Sequence, residues 1–247
     1  GAAAFERYCA ALKACGLRQV VDIVPNHMGV LAAANRWWRD VLAHGQSSRY
    51  ARHFDINWAS PNPLNNGKVL LAVLGSQYGT TVARGELKLE FEPASVFEVT
   101  YFAHRLPIDP RESPRVLTLA LERLQGGQRA RLEAVIGQLS ELSARDVPLE
   151  PGERALAADD AVAKLAVAAS SAAVSAAINV AVADVNQEHG FGRLHELLDA
   201  QAYRLAHWRV AADEINYRRF FDINDLAGVR SELPEVFEDV HRELFRL

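Results

Sequence analysis

Residues 17–27 read Leu-Arg-Gln-Val-Val-Asp-Ile-Val-Pro-Asn-His. Leu17 to Val24 is a short apolar run rich in β-branched residues, the pattern of a buried strand. Pro25 ends it, because proline cannot donate to a strand ladder. Upstream, Phe5, Tyr8, Cys9 and Leu12 fall at i, i+3, i+4 and i+7, one face of an amphipathic helix that Gly16 stops. A helix, a glycine turn and a buried strand make an αβ unit, and such units build parallel sheets or barrels.

Further along, the regularity breaks. Asn35 is placed to cap a short helix through His44. Residues 54–67, FDINWASPNPLNNG, are dense in Asn and Pro and read as a loop. Lys68 to Leu74 reads as a strand and Tyr78 to Arg84 as a short helix. Glu86 to Phe91 and Val96 to Phe102 read as a hairpin around a Glu92–Ser95 turn. From Pro114 to His207 the pattern predicts almost continuous helix. In it, 14 of the 29 residues from Ala155 to Ala183 are alanine, the strongest helix former. Leu194 to Trp208 is read as helix again. Pro234 suits a first helical turn, and Val236, Phe237, Val240 and Leu244 give the last helix its apolar face.

The predicted architecture is therefore α/β and mostly helical. Residues 1–30 form a barrel portion, 31–228 an inserted subdomain with a small hairpin and a helical bundle, and 229–247 a closing helix. So long an excursion needs a core of its own. Helical patterns run to both ends, as expected of a piece of a longer polypeptide. No secretory signal is visible.

Composition narrows the function classes. The 247 residues are 49% hydrophobic and 23% charged, with net charge −4. That is globular and too apolar for large-scale disorder. Mild acidity gives no general attraction for nucleic acid or an anionic membrane, and no apolar run approaches the roughly 20 residues of a membrane span. Cys9 and Cys15 are six residues apart on one helix, about 9 Å of rise, too far to bond. They are expected as buried small hydrophobes in a reducing, cytoplasmic setting.

Two stretches could carry chemistry. In Asp22-Ile23-Val24-Pro25-Asn26-His27, a carboxylate interrupts an apolar strand and would need a partner if buried. His27 lies just past the strand end, where α/β folds place ligand groups. Taken alone, the pattern also fits a capping Asn26 and a satisfied histidine. Asp213-Glu214-Ile215-Asn216-Tyr217-Arg218-Arg219, followed by Phe220-Phe221-Asp222-Ile223-Asn224-Asp225, packs carboxylates, two arginines and three aromatics together. Arginine forks suit carboxylates, and aromatic faces suit the C–H face of a sugar ring. A surface salt-bridge cluster fits the same residues. The tryptophans 37, 38, 58 and 208 read mainly as packing residues. There is no P-loop, GxGxxG or zinc-type spacing, and no cofactor or metal is expected.

Read together, the two stretches carry a resemblance. Asp22 to His27 resembles the first sequence region of the α-amylase clan, at the end of the third strand of a (β/α)8 barrel. Asp213 to Gly228 closely resembles a segment of the maltooligosyltrehalose synthase family, as do Asn35-Arg36-Trp37-Trp38, Val73-Leu74-Gly75 and His104-Arg105-Leu106-Pro107. Asn57 stands where Asp is expected, and Ala72 where Pro is usual. The resemblance implies a partial barrel, with the large mixed subdomain inserted after the third strand. It implies an isomerase of trehalose biosynthesis, in glycoside hydrolase family 13, that converts a reducing-end α-1,4 linkage of a maltooligosaccharide into an α,α-1,1 linkage by a retaining double displacement.

The clan's nucleophile lies in a G-x-R-x-D-H segment that this sequence does not contain, so no catalytic residue is expected here. The resemblance assigns substrate contact to His27 and a place in or beside the substrate pocket to Asp22, Asn26, Tyr217, Arg218, Arg219, Phe220, Asp222 and Asn224. Arg218 and Arg219 are expected to serve different partners, one a carboxylate and one sugar hydroxyls. The implied partners are a maltooligosaccharide and the remainder of the same polypeptide. Another clan hydrolase or glucanotransferase, and a non-catalytic helical interaction module, are the alternatives.

Overall fold

A computed structural model describes residues 1–30, 35–92, 96–147, 152–187 and 192–246. Helix α1 (Ala2–Ala14) forms as the periodicity predicts, but it has no fully buried residue. Phe5, Cys9 and Leu12 are half-covered and Tyr8 is 53% exposed. Cys15 is exposed and Cys9 only half-buried, which corrects the expectation of two buried thiols.

The expected barrel strand is absent. Residues 17–24 pair with nothing among the described residues, and Leu17, Val20, Val21, Ile23 and Val24 are exposed. A strand exists only through the ladder of a neighbour, and the described chain supplies none. A partial barrel is therefore not seen. The chain is a mixed α/β structure with small sheets.

Regular pairing starts one step later than the sequence suggests, at β1 (His27–Gly29). Helix α2 (Arg36–His44) follows, capped as expected: the Asn35 side chain accepts the Trp38 N–H at 3.1 Å and donates to the Gly29 carbonyl at 2.7 Å. Trp38, Val41 and Leu42 of α2 are buried. The loop 54–67 then leads to β2 (Val69–Leu74), an apolar run buried almost throughout, as a strand covered on both faces should be. Next come α3 (Tyr78–Ala83), then β3 (Leu87–Glu92) and β4 (Val96–Tyr101), the expected hairpin. Positions 93–95 of its turn lie outside the described residues. β5 (His104–Pro107) pairs with β4 and completes a three-stranded antiparallel sheet.

The helical layer is α4 (Pro114–Leu121), α5 (Gly126–Ser140), α6 (Glu153–Ala169), α7 (Ala172–Gln187) and α8 (Arg193–Asp199). The alanine-rich run is two helices, bent by 109° between α6 and α7. The break falls at Ser170-Ser171, where Ser170 Oγ donates to the Val167 carbonyl at 2.7 Å. Serine competes for backbone groups in this way and weakens a helix interior. No single helix among the described residues is long and apolar enough to cross a membrane.

The predicted helix over 194–208 stops early. Tyr203–His207 is a strand, β6, parallel to β2, with Val69 opposite Tyr203 and Ala72 opposite Ala206. Local periodicity fits a helix there, but β2 offers a buried ladder to join. Short α9 (Ala211–Glu214) leads to β7 (Arg219–Phe220) and β8 (Ile223–Gly228), and α10 (Pro234–Arg246) closes the described chain. β1 joins β8 antiparallel, giving a sheet ordered β1-β8-β7. His27 stands opposite Gly228, and Gly29 opposite Leu226. This sheet links the first thirty residues directly to the segment 213–228.

Candidate functional site

The site is built from β1, β8 and β7, and its foundation is the 213–228 segment itself. Asn216 is the anchor. Its Oδ1 accepts the Leu70 N–H at 2.9 Å, and its Nδ2 donates to the carbonyls of Asn57 at 3.0 Å and Lys68 at 2.8 Å. One amide thus ties the motif to β2 and to the 54–67 loop. The Asn57 main chain returns a bond from its N–H to the Asn216 carbonyl at 2.7 Å. These contacts of Asn57 use its backbone, so the Asn in place of the family's Asp leaves them intact. Ala72, in place of the family's Pro, keeps its place in the β2–β6 ladder.

Tyr217 is buried. Its ring meets Trp38 edge-on at 5.2 Å, and Trp38 in turn meets Phe54 at 4.8 Å. Its hydroxyl donates to the Asn224 carbonyl at 2.8 Å. Burial pushes the Tyr217 pKa up, against the nearby Arg219, so the phenol stays a neutral donor. Arg218 and Arg219 point to different partners. Arg218 Nε lies 3.2 Å from Asp55 Oδ2, and its Nη2 donates to the Val229 carbonyl at 3.2 Å. Its side chain covers Gly228, where any Cβ would stand about 3.1 Å from the guanidinium. Arg219 donates from Nη1 to Asn224 Oδ1 at 2.6 Å, with Asp222 Oδ1 3.5 Å from Nη2.

On this base sits an aromatic surface. The His27 ring stacks on Phe220, with centroids 4.0 Å apart and planes 22° apart. Asn26 Oδ1 lies 2.9 Å from His27 Nδ1. With Nδ1–H donating to that amide oxygen, Nε2 carries the lone pair. Phe221 meets Phe220 edge-on at 4.6 Å. Phe221, the third aromatic of the motif, sits at φ 53 with 80% of its surface exposed. A bulky residue in the left-handed region is strained, and here the strain holds a phenyl ring in solvent at the hairpin tip. Asp222 beside it is fully exposed.

The structure brings together His27, Asn26, Tyr217, Arg218, Arg219, Phe220, Asp222 and Asn224 in one small sheet and its turns. It leaves out Asp22. That carboxylate is exposed in the unpaired 17–24 segment, with no hydrogen bond or ion pair among the described residues. The place in or beside the pocket that the resemblance implies for Asp22 is not seen here: its segment lacks the cover that would hold it there. Asn216 and Asp55 hold the site without having been singled out in the sequence, while Trp38, read there as a packing residue, packs against Tyr217. Asn216 lay within the quoted motif, but its role depends on β2 and the 54–67 loop, far away in sequence. No group of three or more metal-ligating side chains occurs among the described residues.

A dense cluster of polar and aromatic side chains on a mixed α/β frame is the class of structure at hand. No family model matches the chain. Over all 247 residues it is 27% identical to a curated Mycobacterium tuberculosis protein provisionally named a maltooligosyl trehalose synthase, of which it covers 20%. The solved maltooligosyltrehalose synthase of Arthrobacter ramosus is 31% identical over 96% of the chain, with a TM-score of 0.54, and again 20% of that protein is covered. A further maltooligosyl trehalose synthase crystal structure, 21% identical, shares the fold over 98% of the chain with a TM-score of 0.58. The chain thus resembles maltooligosyltrehalose synthases along its whole length, and it spans about a fifth of theirs.

Proposed function

We propose that this chain is the portion of a maltooligosyltrehalose synthase that frames the pocket for the reacting glucose, and that it carries no catalytic carboxylate. The observation that carries the reading is the stack of His27 on Phe220 above the Tyr217–Asn224–Arg219 network. Two stretches about 190 residues apart in sequence meet on one sheet, and both are the stretches that resemble the family. In the retaining reaction, one carboxylate attacks the anomeric carbon. A second carboxylic acid protonates the leaving oxygen, then acts as base. The freed glucose turns over and attacks through its anomeric hydroxyl, which requires a pocket that shuts out water.

On this reading His27 accepts at Nε2 from a hydroxyl of the glucose whose bond is broken. That hydroxyl becomes a stronger donor as positive charge develops on the glucose ring, so the bond acts on turnover more than on binding. Arg218 is tied to Asp55 and holds the loop, whereas Arg219, beside the exposed Asp222, serves the sugar side. The G-x-R-x-D-H segment of the clan is absent from this sequence, so the chain by itself should be inactive. Incubation of the purified chain with maltopentaose tests that: no non-reducing product is expected, and turnover that survives contaminant controls would refute it.

A further inference from the structure

A cavity lined by no residue of the β1-β8-β7 sheet lies between α3, α8 and β6. It measures about 200 Å³ and is lined by Tyr78, His195, Lys68, Asp199 and Arg204, over a floor of leucines and Tyr203. We infer that it binds one neutral, ring-sized polyhydroxyl ligand, a monosaccharide unit.

Size sets the first limit. Sites for drug-sized ligands begin near about 300 Å³, so this cavity takes a single ring and not an oligosaccharide or a nucleotide. Charge sets the second. Lys68 Nζ already donates to the carbonyl of Asp199 and lies 3.4 Å from its carboxylate. Arg204 Nη1 donates to Asn65 Oδ1 at 3.1 Å and stands 3.6 Å from Glu214. Both cations already face carboxylates, so an anionic ligand would compete with a carboxylate for either one. A neutral ligand meets no such competition.

The hydrogen-bonding pattern sets the third. The Tyr78 hydroxyl lies 2.9 Å from His195 Nδ1. A phenol that donates there keeps its oxygen lone pairs to accept from a ligand. The Asp199 carboxylate, 76% exposed, has acceptor capacity beyond its bond to Lys68, and Arg204 has donors beyond those it uses. The lining therefore offers both donors and acceptors, and vicinal hydroxyls, each both donor and acceptor, can meet both. Tyr78, His195 and the leucines supply an apolar wall for the C–H face of the ring.

The test is a titration of the 247-residue chain with D-glucose, followed through the histidine ring signals by NMR. The His195 signal, assigned by its loss in His195→Gln, should shift and saturate with a millimolar dissociation constant. Tyr78→Phe should weaken binding about tenfold, the worth of one hydrogen bond. Leu64→Trp, at a rim position that is 62% exposed and so tolerant of change, should block binding while the protein stays folded. An unmoved His195 signal in folded protein overturns the inference, as does a stronger response to inorganic phosphate than to glucose. A shift confined to His27 also overturns it, and leaves the proposed function standing.

Discussion

At the scale of single residues, the site depends on Asn216 more than on any residue that would touch sugar. Its amide satisfies the N–H of Leu70 and the carbonyls of Asn57 and Lys68. Asn216→Ala leaves these groups unpaired, and a buried unsatisfied group costs about 1–3 kcal/mol. Urea unfolding should show a loss of about 2 kcal/mol in stability with the slope unchanged. The two arginines divide their work differently. Arg218→Lys keeps a charge near Asp55 but loses the fork that also reaches Val229. Of the site residues, the polar and aromatic ones in the quoted motifs were legible as chemistry because their types are dense and unusual. Asn216 was not, since its partners lie about 150 residues away and no local pattern encodes them. The place of Asp22 was not legible either, because an interrupted apolar run implies burial only if something covers the run.

At the scale of elements, the helical layer is pinned by a buried charge cluster. Arg154, fully buried, donates to Asp109 Oδ1 at 2.6 Å, to His44 Nδ1 at 2.6 Å and to the Ser143 carbonyl at 2.8 Å. Arg145 stands 3.1 Å from the other Asp109 oxygen, and Gln201 Oε1 accepts the Asp109 N–H at 2.8 Å. The cluster joins α2, the turn before α4, α6 and the end of α8. Asp109→Asn should lower stability by about 3–5 kcal/mol, since it strands a buried guanidinium; thermal melts of folded protein check this. His44 adds a pH dependence. Burial, aided by Arg154, holds its pKa below the ordinary 6.5, against the pull of Asp40. The folded state thus favours the neutral ring, so its stabilising effect is present above about pH 6.5 and is lost as pH falls toward the lower folded value. The melting temperature should drop from about pH 7 to about pH 5, and His44→Gln, which keeps an acceptor for Arg154, should flatten that slope. An equal slope in the variant would remove His44 from the account. Most helices and the β3–β4 hairpin were legible because their periodicity is local. β6 was not, because its residues fit a helix on their own and only the buried ladder of β2 decides the matter.

At the scale of the whole molecule, order and exposure are unevenly spread. The core runs from Val30 to Val236 and includes nothing from residues 1–29. Residues 17–26 should exchange their amides fastest and β2 slowest, because opening β2 requires breaking the core. Strongest protection at 17–24 would show that this stretch is paired after all. The exposed apolar run there is the surface that the rest of a synthase would cover, in the proposed reading. The central claim is that the sheet bearing His27 lines the reacting-glucose pocket of a maltooligosyltrehalose synthase. Its most direct test is steady-state kinetics of the complete enzyme on maltopentaose, wild type against His27→Ala, followed by loss of reducing ends. Removing a hydrogen bond strengthened by a developing charge costs about 1.5–3 kcal/mol, so kcat should fall roughly ten- to a hundredfold with KM little changed, and the product should remain non-reducing. An unchanged kcat in His27→Ala would contradict the account.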